Sequence, residues 1–154
     1  YSEDARVQFI GVVDPDDERA QQLADTHSAR VFPDLNAMLP FIDVLTIASP
    51  PSLHGAAVRA ALDSGKHVLV EKPLATEAQL GAALVQTARD KGLVLACGHQ
   101  ERLVFEAMGL LNASEKPTYI ESVREGPWTG RSADVSVTLD LMVHDLDLAL
   151  TLLE

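Results

Sequence analysis

The sequence predicts an α/β fold built on a doubly wound parallel sheet. Three observations predict it. Four short apolar runs, Val7–Val13, Val44–Ala48, His67–Val70 and Leu93–Cys97, are bounded by acids, prolines and glycines. They show little polar alternation, the pattern of strands buried on both faces. Amphipathic segments of helical length separate them, and strands alternating with helices give a parallel sheet.

The elements follow in order. Val7–Val13 reads as a strand ending at Asp14. Pro15-Asp16-Asp17-Glu18 places proline and acids where a helix N-terminus favours them, and that helix runs to about Thr26. Val31-Phe32 is a short extended piece, and Asp34 caps a small helix through Leu39. Val44–Ala48 is broken by Ser49-Pro50-Pro51-Ser52, which starts a helix through Asp63, closed by Gly65. After His67–Val70, Thr76-Glu-Ala-Gln79 has capping-box spacing and opens a helix through Asp90, ended by Gly92. Leu93–Cys97 completes the alternation.

Beyond Gly98 the pattern changes. Glu101–Asn112 reads as a helix, and Thr118–Arg124 alternates like a strand with one wetter face. Gly126–Ser136 is loop-like. Val137–Leu153 is a long helix, apolar on most faces. The expected division is residues 1–98 and 99–154, the second part being the start of an α+β domain.

Composition narrows the partners. The chain has 154 residues, 47% of them hydrophobic, and a net charge of −11. That charge argues against nucleic acid and anionic membrane as partners. No apolar stretch is long enough to span a bilayer, and no signal peptide is evident. Cys97 is the one cysteine. It reads as a small hydrophobe in an apolar run; with no disulfide framework, a cytoplasmic protein is expected.

Ligands in open α/β sheets bind at the carboxyl ends of strands. Four places there carry chemistry. Asp14 ends a strand, where an acid commonly holds the ribose hydroxyls of NAD and repels the extra phosphate of NADP; its competing reading is a turn that starts a helix. Ser49, Pro50 and His54 lie between a strand and a helix, where two prolines form a rigid wall; a lone histidine there is otherwise a packing residue. Lys72 follows the run His67–Val70 and Glu71, and Pro73 turns the chain and allows a cis bond. A lysine there can bind a substrate hydroxyl and favour an alkoxide; otherwise it is a solvated partner of Glu71.

The fourth place is Asp140 and His144, four residues apart and so on one helix face, among the apolar Leu139, Leu141, Met142 and Val143. The histidine can take a proton from a hydroxyl, and the carboxylate can orient the ring or bind a second hydroxyl. One histidine with carboxylates on a single helix falls short of a metal-ligand set, so no metal is expected. Arg102, Arg124 and Arg131 are candidates for substrate oxygens or a phosphate, and Trp128 for stacking; the alternative for Trp128–Arg131 is a surface loop.

Several motifs in order resemble the glucose-fructose oxidoreductase/inositol dehydrogenase/MocA (Gfo/Idh/MocA) family. They are Ala48-Ser49-Pro50-Pro51-Ser52-Leu53-His54, Gly65–Val70 followed by Glu71-Lys72-Pro73, Gly98-His99-Gln100-Glu101-Arg102, and Asp140-Leu-Met-Val-His144-Asp-Leu-Asp147. The resemblance implies a Rossmann-like sheet and NAD(P)-dependent oxidation of a sugar or cyclitol hydroxyl, or the reverse reduction, with NAD the expected cofactor and NADP the alternative. It implies Lys72 and His144 as the catalytic pair and Asp140 as the substrate-binding carboxylate. Asp14, Ser49, Pro50, His54, Glu71 and Lys72 match positions lining the dinucleotide, and Lys72, Arg131, Asp140 and His144 the substrate. The segment from Arg131 to Asp140 lacks the diglycine common before this helix. It is more similar to members acting on nucleotide-activated amino sugars, the UDP-N-acetylglucosamine 3-dehydrogenases.

Two departures shape the expectations. Family members begin with a strand, a Gly-x-Gly-x-x-Gly turn and a helix, and that strand lies between those matching Val7–Val13 and Val44–Ala48; none of this precedes Val7, and the sequence starts at Tyr1. Members also run well beyond 154 residues. The chain is therefore expected to be a fragment truncated at both ends, with an enzyme as its parent. It is expected to bind dinucleotide weakly or not at all, and to form homo-oligomers through exposed apolar sheet edges. The rival expectation is a catalytically inactive remnant or a nucleotide-sugar-binding module.

Overall fold

The computed structural model describes residues 4–112, 115–127 and 135–153. The first part keeps the expected alternation, although the strand expected over Val7–Val13 forms only at Gly11–Val12: β1 (Gly11–Val12), α1 (Asp17–His27), β2 (Arg30–Val31), α2 (Leu35–Met38), β3 (Val44–Ile47), α3 (Pro51–Asp63), β4 (His67–Glu71), α4 (Ala78–Asp90) and β5 (Leu95–Gly98). All pairings are parallel. β4 is central to a three-stranded sheet in the order β3-β4-β5, with Thr46, Leu69 and Ala96 in register. β1 and β2 form a separate pair. Among the described residues no strand pairs with the β3 edge that faces away from β4, where the resemblance places a further strand.

The core lies under one face of the larger sheet. Val68 and Val70 of β4 meet Val58, Ala61 and Leu62 of α3 and Leu84 and Ala88 of α4, all buried. Burying each of the larger aliphatic side chains is worth roughly 1.5–3 kcal/mol. The other face is thinly covered, and Val44 and Val94 are more than half exposed.

The helix ends explain most boundaries. The Asp16 side chain accepts from the Arg19 amide and caps α1; Asp34 caps α2 through the Ala37 amide. The capping box expected at Thr76 is not formed: α4 starts at Ala78 behind Glu77, with no side-chain cap. The expected helix over Glu101–Asn112 is cut short as α5 (Gln100–Ala107), because Gly109 turns into the left-handed region at φ +74°, and a short 3₁₀ turn follows.

Two further expectations change. Thr118–Arg124 forms no strand. A ladder needs a partner, and none of the described residues pairs with this segment. Side chains anchor it instead, Ser122 and Arg124 both donating to Asp145. The helix expected over Val137–Leu153 opens with a π-helical turn, Thr138–Met142, before continuing as α6 (Val143–Leu153). α6 packs on α5, and much of the apolar surface of this pair is open: Leu103, Val104, Met108 and Leu150 are all over half exposed. Among the described residues no helix is long and apolar enough to cross a membrane.

Candidate functional site

The residues that follow β4 and β5 meet the helical run that begins at Thr138, Lys72 at Asp140 and His99 beside Asp147. β4 ends at Glu71, and the Lys72–Pro73 peptide is cis. His54, on the first turns of α3, is 1% exposed. Its Nδ1 lies 2.7 Å from the Pro73 carbonyl oxygen and its Nε2 2.8 Å from that of Ser49. Carbonyls only accept, so each contact asks for an N–H; a neutral ring carries one and the imidazolium two. The ring therefore braces the turn after β3 against the turn after β4, and it presents no nitrogen to the surface. The Ser49 hydroxyl beside it is buried without a partner.

Lys72 reaches across to the π-helical turn. Its ammonium donates to the Asp140 carboxylate at 2.9 Å and to the Asp140 main-chain oxygen at 2.6 Å. A regular α-helix commits that oxygen to its own ladder; the wide turn supports its use by Lys72. Both side chains are about three-quarters or more buried.

His144 stands one turn further on. Burial pushes its pKa below the ordinary 6.5; the Glu101 carboxylate works the other way, and Lys72, Arg124 and His99 add to the lowering. The ring is neutral at neutral pH, a form that accepts a proton. Its Nδ1 is buried without a hydrogen bond and lies 4.0 Å from Glu101 Oε1.

Around the histidine runs a charged lattice. Arg124 donates both terminal nitrogens to Glu101, one at 2.7 Å, and its Nε to Asp145 at 2.8 Å. Glu101 is held below the usual carboxylate range chiefly by the Arg124 hydrogen bonds, and Arg124 is raised by the same pairing. Burial works to raise Asp145, but hydrogen bonds from Ser122 and Arg124 bring it below its usual value. In a matching arrangement Arg102 clamps Asp147, and His99 Nδ1 lies 3.7 Å from the same carboxylate. Arg102 and Arg124 thus serve carboxylates of the chain itself.

Beside these groups is a cavity of about 320 Å³ lined by Glu71, Cys97, His99, Gln100 and Arg102 among others. Gln100 Nε2 donates to Glu71 at 2.9 Å. A side chain at Gly98 would come within 3.2 Å of that carboxyl, so glycine keeps the space open. Burial raises the Cys97 thiol. Asp14 lies apart, at the end of β1, where it accepts from the Asp16 amide at 2.9 Å, the turn-forming geometry. Arg131 and Trp128 fall outside the described residues. Among the described residues no cluster of three or more metal-ligating side chains occurs.

The structure therefore brings Lys72, Asp140 and His144 together with Ser49, Pro50, His54 and Glu71. The partner of His144, Glu101, and the lattice behind it carried no signal in spacing, because α5 and α6 meet only through the fold.

The comparisons with known proteins give the chain a family. The family described as "Oxidoreductase family, NAD-binding Rossmann fold" (GFO_IDH_MocA) matches residues 1–99. UDP-N-acetylglucosamine 3-dehydrogenase of Acidithiobacillus ferrooxidans is 40% identical over 147 residues, 94% of this chain and 47% of that protein. A crystal form of the same enzyme superposes with a TM-score of 0.84 at 39% identity, over 93% of this chain and 48% of the other. GenD2 from gentamicin A biosynthesis, solved in complex with NAD, superposes at 0.80 with 29% identity, over 97% and 47%. The chain spans about half the length of these relatives. With a family match over most of its length and strand-end geometry to suit, the chain belongs to the Gfo/Idh/MocA oxidoreductase family, with its NAD-binding Rossmann fold.

Proposed function

We propose that the protein is an NAD(P)-dependent dehydrogenase acting on a sugar, cyclitol or nucleotide-sugar hydroxyl, and most specifically on a UDP-N-acetylhexosamine. The observation that carries this reading is the convergence of Lys72, Asp140 and His144 at the carboxyl end of the central strand. Residues 1–98 form the cofactor side and 99–154 the beginning of the substrate side.

The residues present fit the cofactor at one end. Ser49 Oγ is a buried hydroxyl in want of a partner, and such groups in native proteins call for a ligand or water. Ser49, Pro50, Glu71 and Lys72 would hold the nicotinamide end, with His54 bracing their turns, and Asp14 the adenosine ribose. No Gly-x-Gly-x-x-Gly occurs in the 154 residues, so no pyrophosphate contact is assigned.

Lys72 directs two of its three ammonium protons to Asp140, which aims the third. That donor meets the substrate hydroxyl oxygen, and its charge favours the alkoxide character that develops as the carbon loses hydride. His144, neutral and sheltered, takes the hydroxyl proton. Asp140 and Arg131 bind neighbouring substrate oxygens. When bound, NAD(P) supplies the hydride acceptor. The single Cys97 suits the cytoplasm, and the open β3 edge suits a homo-oligomer.

Calorimetric titration with NADH and an assay of NAD reduction with UDP-N-acetylglucosamine test the reading. Micromolar binding and turnover lost in His144→Ala support it. Nucleotide-sugar binding without redox turnover would make the protein a binding module. No binding at millimolar cofactor would remove the cofactor site from these residues.

A further inference from the structure

We propose that Glu101 is the positioning residue for His144, fixing the ring with Nδ1–H turned inward and Nε2 turned to the substrate. The proposal rests on the acid–base reading of His144.

An imidazole must present the correct nitrogen to a reacting hydroxyl, and the group on its other nitrogen decides which one. Asp140, four residues earlier on the same helix, does not do this: its carboxylate is taken by Lys72. The carboxylate beside the ring comes from α5. Glu101 Oε1 lies 4.0 Å from His144 Nδ1, and that nitrogen is sealed from solvent without a hydrogen bond, while Nε2 is not so sealed. A separation of 4.0 Å is ion-pair range rather than a hydrogen bond; catalytic hydrogen bonds are often long until substrate binds. A buried donor with one anionic acceptor in reach has one favourable state, Nδ1–H aimed at Glu101.

The carboxylate is itself fixed. Arg124 grips both Glu101 oxygens and uses its Nε on Asp145, the residue after His144. One guanidinium therefore ties the α5 carboxylate to the backbone turn that carries the ring. The charged and titratable groups facing His144 are Glu101 and His99 from α5 and its start, Lys72 from the end of β4, Arg124 from the 115–127 segment, and Asp140 and Asp145 from its own helical run. Glu101 is the acceptor within ion-pair distance of Nδ1.

The test is NMR of the ¹⁵N-labelled His144 ring in the full chain and in Glu101→Gln. Gln keeps an oxygen for Arg124 and removes the charge. The expected results are an Nδ1–H tautomer in the unaltered protein and a lower ring midpoint in Glu101→Gln, because the carboxylate that favours the imidazolium is gone. Glu106→Gln, exposed on the same helix, should leave both unchanged. An Nε2–H tautomer in the unaltered protein overturns the proposal even if the variant fails to fold. An unchanged midpoint in a folded Glu101→Gln overturns it too. Both readouts are independent of turnover, so a His144→Ala protein that still turns over would sink the acid–base reading without touching this coupling.

Discussion

Lys72 holds Asp140 twice, by its carboxylate at 2.9 Å and by its main-chain oxygen at 2.6 Å. The contact ties the end of the central strand to a helix 68 residues away in sequence. It fixes the charge that the proposed chemistry uses and docks the second part of the chain on the first. Lys72→Met should therefore do two separable things. It should cost about 1.5–3 kcal/mol, the range for hydrogen bonds to charged groups, read by urea unfolding followed at α6. It should also lower turnover by roughly 10²–10³, the scale of removing one oxyanion donor. Unfolding unchanged from the parent would show that the bridge does not hold α6.

His54 makes a second, independent prediction. The ring is sealed between two carbonyls. His54→Ala leaves a cavity and removes the ring that bridges the Pro73 and Ser49 carbonyls, a combined cost of roughly 3–5 kcal/mol. Thermal unfolding should show a large drop in Tm. A drop no larger than that of an exposed substitution such as Arg59→Ala would mean the brace is not made.

The larger sheet and the main helices were legible because they depend on local pattern: apolar runs ended by Ser49 and Glu71 set β3 and β4, and capping acids set α1 and α2. The strand-end position of Lys72 followed from the same pattern. The strand at Thr118–Arg124 was misread because alternation shows amphipathicity, whereas a strand also needs a ladder partner. The pairing of Lys72 with Asp140, and of His144 with Glu101, lay beyond local pattern: each joins elements distant in sequence, and the π-helical turn at Thr138–Met142 alters the simple spacing of Asp140 and His144.

Acid should loosen the α5–α6 half first. His144 is lowered in the folded state, so the unfolded chain binds more protons between that lowered value and 6.5, and stability is lost as pH falls through this window. Glu101 and Asp145 are lowered as well, from 4.5 and 3.8. Their contribution is present above those values and is lost at still lower pH. The three effects share one sign, so stability falls in two steps on acidification. Urea midpoints measured from pH 7 to 3 should show both, and His144→Gln should remove the upper step alone. A profile flat between pH 7 and 5 would contradict the burial of the ring.

The β3 edge makes a prediction about assembly. A parallel ladder exposed on one side offers unpaired amides and carbonyls to another chain. Here that edge carries Val44, which is 56% exposed, and the open faces of α5 and α6 add apolar surface. The polypeptide should therefore self-associate, with a light-scattering mass above 16.6 kDa. Val44→Lys places a charge on the edge while leaving the buried face of β3, Leu45 and Ile47, untouched. It should shift the mass toward the monomer if edge pairing drives association, whereas Leu150→Lys should do so if the helical faces drive it. A monomer before any substitution would show that a bare strand edge and these apolar faces are insufficient to hold two copies together.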